Sequence, residues 1–372
     1  MRFRERRPRR GPGRWLLGAG ALVCFLAVLV ALDTIVSSRN AGRPSPPPPL
    51  VTPDPTIPPT VLAYFYYWYD LPNGPHSSAL THRPAEPDAS YRDRDWFRKQ
   101  FLDMLAAGID IALAVYWGDA EPSSDIGLAN MAEATTALRR EGLEPPKIGM
   151  FLDTGAIARW PGDQRDLRQP ANQERAYQMV RAFYSILPRE DWGTIKGRPI
   201  VWLWGNYFQL PFDQSLFDHL SSRFAQEFGT RPYIVAEMSW RHPIVGGFLG
   251  IGTRVDTGQT VRVDQFYVWG AALNGFVDQG GVAQVGPGYD ERALDGPGRS
   301  GRFRPREGGA FYRRNLEAAL ASGKRLLAIE TWNEFHEATD IARSVEYGDQ
   351  YIRITREYVD RFKARSAGSG PR

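Results

Sequence analysis

Cysteine is nearly absent from this chain: Cys24 is the one thiol in 372 residues, so no intramolecular disulfide can staple the fold. Histidine is scarce as well. His76, His82, His219, His242 and His336 form no HExxH pair and no Cys/His spacing of the kind that marks a zinc site. Neither a metal nor another cofactor is therefore expected. No Gly-x-Gly-x-x-Gly turn follows the first strand pattern and no phosphate-binding loop is present, which argues against a nucleotide-binding open sheet. A basic face is missing too. The net charge of +4 comes from the tip, where residues 1–14 hold seven arginines and one glutamate, a local +6 that leaves −2 for the remainder. Nucleic acid is not an expected partner.

Apolar and aromatic residues are plentiful, at 42% and 12%, enough for a large core. One apolar stretch stands outside that core. Trp15 to Leu32 is 18 residues without a charge, close to the length that crosses a bilayer, and it follows the arginine-rich tip directly. The expected organisation is a basic cytoplasmic tip (1–14), a transmembrane signal-anchor (15–37) and an extracytoplasmic remainder at the cell membrane. Val36-Ser37-Ser38 resembles a cleavage site, so secretion after cleavage is the alternative. Residues 38–60, with Pro46 to Pro49 and Pro53, Pro55, Pro58 and Pro59, predict an extended linker. Residues 363–372, with Ser366-Ala367-Gly368-Ser369-Gly370, predict a disordered tail.

Between them, residues 61–362 alternate strand and helix patterns. Strands are expected at Val61–Trp68, Ile109–Trp117, Lys147–Leu152, Pro199–Trp204, Tyr233–Ala236, Val263–Trp269, Val282–Val285 and Leu326–Ile329. Helices are expected at Asp93–Ala107, Leu128–Glu141, Asn172–Ile186, Ser215–Phe228, Gly309–Ser322 and Ile341–Phe362, several of them stopped by glycine. Eight such units predict an α/β fold, a (β/α)8 TIM barrel, with a doubly wound sheet as the rival.

In a barrel the strand ends converge on one face, where catalytic groups sit. Those ends are Tyr67 and Trp68, Tyr116 and Trp117, Asp153, Trp204, Glu237, Trp269, Tyr289, and the cluster Trp332-Asn333-Glu334-Phe335-His336-Glu337. Aromatic faces stack on the C–H surface of sugars, and carboxylates or amides bind hydroxyls. A phosphorylated substrate would instead call for arginine or lysine. The expected partner is a neutral carbohydrate. Glu334 and Glu337, three residues apart, can face one cleft and supply the acid and base that glycoside chemistry needs. Glu330 is expected to support them. A solvated polar strand end is the competing reading of the cluster, and core packing is the competing reading of each tryptophan.

Three motifs carry a family resemblance. Tyr64-Phe65-Tyr66-Tyr67-Trp68-Tyr69, Val285-Gly286-Pro287-Gly288-Tyr289 and Trp332–Glu337 resemble the first strand, the loop after the seventh strand and the Asn-Glu-Trp-x-Glu motif of glycoside hydrolase family 99. That family holds endo-α-mannosidases and endo-α-mannanases. The resemblance implies a retaining, metal-independent barrel without an enzyme nucleophile. It makes Glu334 the base towards the sugar 2-hydroxyl and Glu337 the general acid/base. Tyr289 would be an active-site hydroxyl, with Asn333 and His336 orienting the pair. Three positions depart from the family pattern: Phe335 replaces tryptophan, Ala338 replaces glycine, and Asp340 is unexpected. These mark a divergent branch, expected to be a monomer. A glycan-binding or glycan-assembly protein on the same barrel is the alternative function, and a structural envelope protein on a proline stalk is a third.

Overall fold

The computed structural model describes residues 54–245, 253–254, 259–294 and 300–367. The expected tip and anchor lie outside the described residues. Among the described residues, no helix is long and apolar enough to cross a membrane.

Eight short strands form the centre: β1 (Thr60–Phe65), β2 (Ile111–Tyr116), β3 (Lys147–Leu152), β4 (Arg198–Leu203), β5 (Tyr233–Glu237), β6 (Gln265–Tyr267), β7 (Val282–Val285) and β8 (Leu326–Ile329). Most are runs of apolar residues buried on both faces, as parallel strands sandwiched between layers must be. Neighbours run β7-β8-β1-β2-β3-β4-β5-β6, and every ladder in that path is parallel. Between β6 and β7 the Gly281 N–H donates to the Phe266 carbonyl at 2.9 Å, which nearly closes the ring. Glycine is required at the preceding Gly280, whose φ is 67° and where a Cβ would lie 2.2 Å from the Phe266 carbonyl oxygen. The result is a nearly closed eight-stranded barrel.

Six full helices surround it: α1 (Arg94–Ala107), α2 (Ser123–Arg140), α3 (Pro170–Ile186), α4 (Gln214–Phe228), α5 (Ala310–Ala321) and α6 (Gln350–Ala367). Local chemistry sets several ends. Asp93 and Asp213 accept N–H groups of the first turns of α1 and α4, and Gly108 ends α1 in the left-handed region at φ 80°. The ring of helices is incomplete. Among the described residues, the one helical segment after β5 is the single turn Met238–Trp240, and after β6 it is Ala271–Asn274. The sequence between β5 and β6 holds Pro243 and five glycines, a composition with poor helix propensity.

Three boundaries differ from expectation. The expected linker gives way before residue 60, since Ile57 is buried, its carbonyl accepts from Arg325 Nε at 2.7 Å, and Asp54 pairs with Lys196. The final helix starts at Gln350 and not at Ile341, because residues 341–349 are held in turns around the buried Ile341 and Ser344. It runs on to Ala367, so residues 363–367 are helical and only the last five lie outside the described residues.

The barrel interior is aromatic. Tyr64 (β1) meets Phe151 (β3) at 4.7 Å between ring centroids, Trp269 at 4.9 Å, Trp202 (β4) at 6.0 Å and Tyr267 (β6) at 6.4 Å. Its hydroxyl accepts from Gln284 Nε2 (β7) at 2.7 Å. This plug forms the floor beneath the strand ends.

Candidate active site

Side chains on a strand alternate between faces, and β1 with its extension shows the consequence. Tyr64 points into the barrel. Phe65 stacks towards Trp96, Phe97 and Phe101 of α1, and Tyr67 packs on Phe97 with its hydroxyl donating to the Ser124 carbonyl at 3.1 Å. Tyr66 and Trp68 return to the inner face. The β1 ladder stops at Phe65 because an amide side chain takes over: Asn333 Oδ1 accepts from the Tyr66 N–H and its Nδ2 donates to the Tyr66 carbonyl, both at 2.7 Å.

Asn333 thereby pins the loop after β8 to the end of β1. Tyr69 adds a second tie, its hydroxyl donating to the Asn333 carbonyl and accepting from the Phe335 N–H, both at 3.0 Å. In the loop so held, Glu334 is buried. Its Oε1 accepts from the His336 N–H at 2.9 Å and pairs with His336 Nδ1 at 2.9 Å. The His336 ring stacks on Tyr69 at 5.5 Å, which fixes the imidazole. Glu337 is half-buried, and its carbonyl accepts from the Asp290 N–H at 2.8 Å.

Other strand ends carry further acids. The Asp153 carboxyl is pushed up to about 7 by burial, although the Gly155 N–H donates to it at 2.8 Å and Arg159 opposes the shift. Burial also raises Glu237, which accepts from the Ser239 N–H at 2.7 Å. Glu330 is pushed up to about 8, again by burial, while accepting from the N–H groups of Gly270 and Ala272 at 3.0 and 3.3 Å. Near Asp153 and the glutamate pair sits the Tyr66 hydroxyl. It is held well above the usual tyrosine range by burial, then by the charges of Glu334, Asp153 and Glu337. One phenol is thus within electrostatic reach of three carboxyl groups from two strand ends.

The aromatic walls follow. Trp68 stacks on His76 at 4.6 Å with the planes 11° apart. His76 is pushed down to about 3 by burial, then by His336 and Arg159, so it is neutral. The Arg159 guanidinium lies 4.4 Å over the Trp117 ring. Trp117 and Asp153 are side by side, since a Cβ on Gly155 would come 3.2 Å from the one and 3.0 Å from the other. Trp204 packs on Tyr207 at 5.2 Å, and Trp269 stacks on Phe151 at 5.9 Å over the barrel floor. The Tyr289 hydroxyl donates to Glu291 Oε2 at 2.8 Å and accepts from Arg302, a cation that also feels Glu337.

Three expected substrate contacts point elsewhere. Tyr67, Tyr116 and Trp332 face the helices: Tyr116 donates to Asp125 at 2.7 Å and packs on Phe183, and the Trp332 indole donates to Gln100 of α1 at 2.8 Å. Each lies one residue out of phase with an inner-face neighbour. Asn333 is fully buried with both amide atoms committed, so it braces the loop and cannot also bind sugar. Reading from sequence missed Tyr66, His76 and Arg159. Strict alternation from Tyr64 would have found Tyr66; the other two lie on loops that carry no periodic signal. Among the described residues, no group of three or more His, Cys, Asp or Glu side chains is placed to hold a metal ion.

Comparison with known proteins bears on the fold and the family. The chain is 24% identical over 326 residues to the glycoprotein endo-α-1,2-mannosidase of Mus musculus, covering 79% of this chain and 67% of the mouse protein. An endo-α-1,2-mannosidase-like protein of Danio rerio is 25% identical over 193 residues, and the match spans 45% of this chain but only 43% of that protein's length. Among solved structures, the GH99 endo-α-mannosidase of Bacteroides thetaiotaomicron superposes with a TM-score of 0.60 at 18% identity, covering 85% of this chain and all of the other. A glycoside hydrolase-like protein superposes with a TM-score of 0.56 at 14% identity, over 87% of this chain and 98% of the other. At these identities the structural likeness concerns the fold, and with the sequence matches it makes this a divergent GH99-like barrel. The model of the family described as "Domain of unknown function (DUF5010)" matches residues 63–368, nearly the whole folded domain, and the chain belongs to that family.

Proposed function

We propose that the protein is a glycoside hydrolase that cleaves an α-linked glycan with net retention, using Glu334 and Glu337. The observation that carries this reading is the burial of Glu334 beside His336 on the loop that Asn333 ties to the end of β1, with Glu334, Glu337 and Asp153 all within electrostatic reach of the Tyr66 hydroxyl. Two carboxyl groups in unlike surroundings are what acid–base work at an anomeric centre requires. Glu334 is buried and tied to His336, whereas Glu337 is half-buried and so open to proton exchange with a leaving group.

Glu334 takes the proton of the sugar 2-hydroxyl, O2 attacks the anomeric carbon, and the glycosidic bond breaks as Glu337 protonates the departing oxygen. A 1,2-anhydro sugar results. Glu337 then takes a proton from water, which opens the three-membered ring, and Glu334 returns its proton to O2. Two displacements leave the anomeric configuration unchanged. The names of the mammalian relatives make α-1,2-linked mannosides the first substrates to try. We further propose that residues 15–37 anchor the domain outside the cytoplasm, on the 18-residue uncharged run behind seven arginines, and that it works as a monomer.

The test uses a chain starting at Asp54, offered a panel of α-linked oligosaccharides, with Glu334→Gln and Glu337→Gln as controls and NMR of the first-formed anomer. Retention, lost in both variants, is the expected result. Inversion would overturn the mechanism, and wild-type rates in both variants would overturn the site. Binding without turnover would favour the glycan-binding alternative.

A further inference from the structure

The loop that carries both glutamates is held along its whole length. The Glu334 carbonyl accepts from the Thr339 N–H, Phe335 from the N–H groups of Thr81 and His82, Glu337 from Asp290, and Thr339 from Thr331. The His336 carbonyl accepts from Thr81 Oγ1 at 2.7 Å. The last two anchor points differ in kind. The carbonyls of Ala338 and Asp340 both accept from Arg306, at 3.0 and 2.6 Å, and both bonds come from one nitrogen, Nη2. The same nitrogen donates to Asp340 Oδ1 at 3.1 Å, and that oxygen pairs with His82 Nδ1 at 2.6 Å. The guanidinium is sandwiched with Tyr347 and Tyr351, 4.8 and 4.4 Å from the ring centroids. All three polar residues are buried.

We propose that Arg306, with Asp340 and His82, is a positioning device for Glu337, an inference that rests on the acid/base role given to Glu337 above. None of the three touches the cleft groups directly; they act through the backbone. Ala338, the residue after Glu337, has φ 51°, a left-handed conformation that alanine disfavours. Left free, that residue relaxes towards negative φ and swings Glu337 away. Arg306 holds the Ala338 carbonyl and the Asp340 backbone on the far side of the strained residue, so the conformation persists. A buried ion pair adds little net stability, because the loss of hydration offsets the attraction. What this one supplies is geometry, and an error of about 1 Å at a reacting group costs up to about a hundredfold in rate.

The test compares full-length wild type with Arg306→Met, Arg306→Met/Asp340→Asn and Arg306→Lys. The double variant removes both charges, so it avoids the cost of a buried carboxylate left with His82 as its one partner in the single variant. Two quantities are read: amide hydrogen exchange across residues 334–342, and kcat and KM on an α-1,2-linked manno-oligosaccharide. The proposal expects the methionine variants to exchange at least tenfold faster in that segment, with the barrel strands unchanged. It expects kcat per folded molecule to fall ten- to a hundredfold while KM stays within threefold. Lysine, whose single nitrogen can replace Nη2, should recover most of both. Unchanged exchange in a folded methionine variant, or kcat within threefold of wild type, would overturn it. A wild type that cleaves nothing sinks the hydrolase reading alone, and the exchange measurement still decides whether Arg306 holds the loop.

Discussion

Replacing Glu330 by glutamine should stabilise the domain above neutral pH and leave it nearly unchanged near pH 5. The carboxyl is fully buried at the end of β8, and burial lifts it from 4.5 to about 8 against the help of three backbone N–H groups. Below pH 4.5 the folded and unfolded states both hold the proton, and stability has no slope from this group. Between 4.5 and about 8 the unfolded chain releases the proton while the folded state keeps it. Stability therefore falls as pH rises, and it levels off once the folded carboxyl has also ionised. At about 1.4 kcal/mol per pH unit the ceiling is about 5 kcal/mol, and a realistic internal dielectric brings the loss to about 2–3 kcal/mol. Glutamine keeps an oxygen to accept from Gly270 and Ala272 but carries no charge. Denaturant unfolding of both proteins at pH 5, 7 and 9 measures the effect. Asp153 titrates in both and cancels, so the difference between the curves reports Glu330 together with its coupling to Glu237. Parallel curves from pH 5 to pH 9 would refute the reasoning.

Other substitutions separate the roles within the site. Asn333→Ala strips the Tyr66 backbone of both partners, so it should destabilise by about 2–4 kcal/mol, read by unfolding midpoints. Tyr66→Phe removes only the hydroxyl facing the carboxylates; kcat should fall about tenfold or more with little change in melting temperature, and the reverse pattern would place Tyr66 in the core alone. Trp332→Phe orphans the buried Gln100 and should cost about 1–3 kcal/mol of stability without altering sugar affinity. Trp117→Ala should do the opposite to affinity, weakening oligosaccharide binding in titration calorimetry by about 1 kcal/mol or more through loss of a stacking face.

The relation between sequence and site is clearest at β1. The run from Val61 to Tyr69 announces a strand, and a periodicity of two divides it into Tyr64, Tyr66 and Trp68 on one side and Phe65 and Tyr67 on the other. What the run does not announce is which side is the cleft, because both sides are aromatic and both are buried. The same ambiguity displaced Tyr116 and Trp332. Hydrophobic pattern marks a face when the other face is polar, and a strand covered on both sides carries no such contrast.

Length, charge and apolar periodicity by themselves determined the alternation of strands and helices, the eight-stranded count, the clustering of carboxylates after the last strand and the uncharged run behind the arginine tip. These are local properties, written in spacing and composition. Tertiary structure alone decided that Asn333 braces Tyr66, 267 residues away along the chain, that Tyr66 lies within electrostatic reach of three carboxyl groups, and that Arg306 grips the backbone beyond Ala338. It also decided that the carboxyls of Asp153, Glu237 and Glu330 are raised above the ordinary range. Burial causes those shifts, and burial is a property of the nearly closed barrel that no single segment carries.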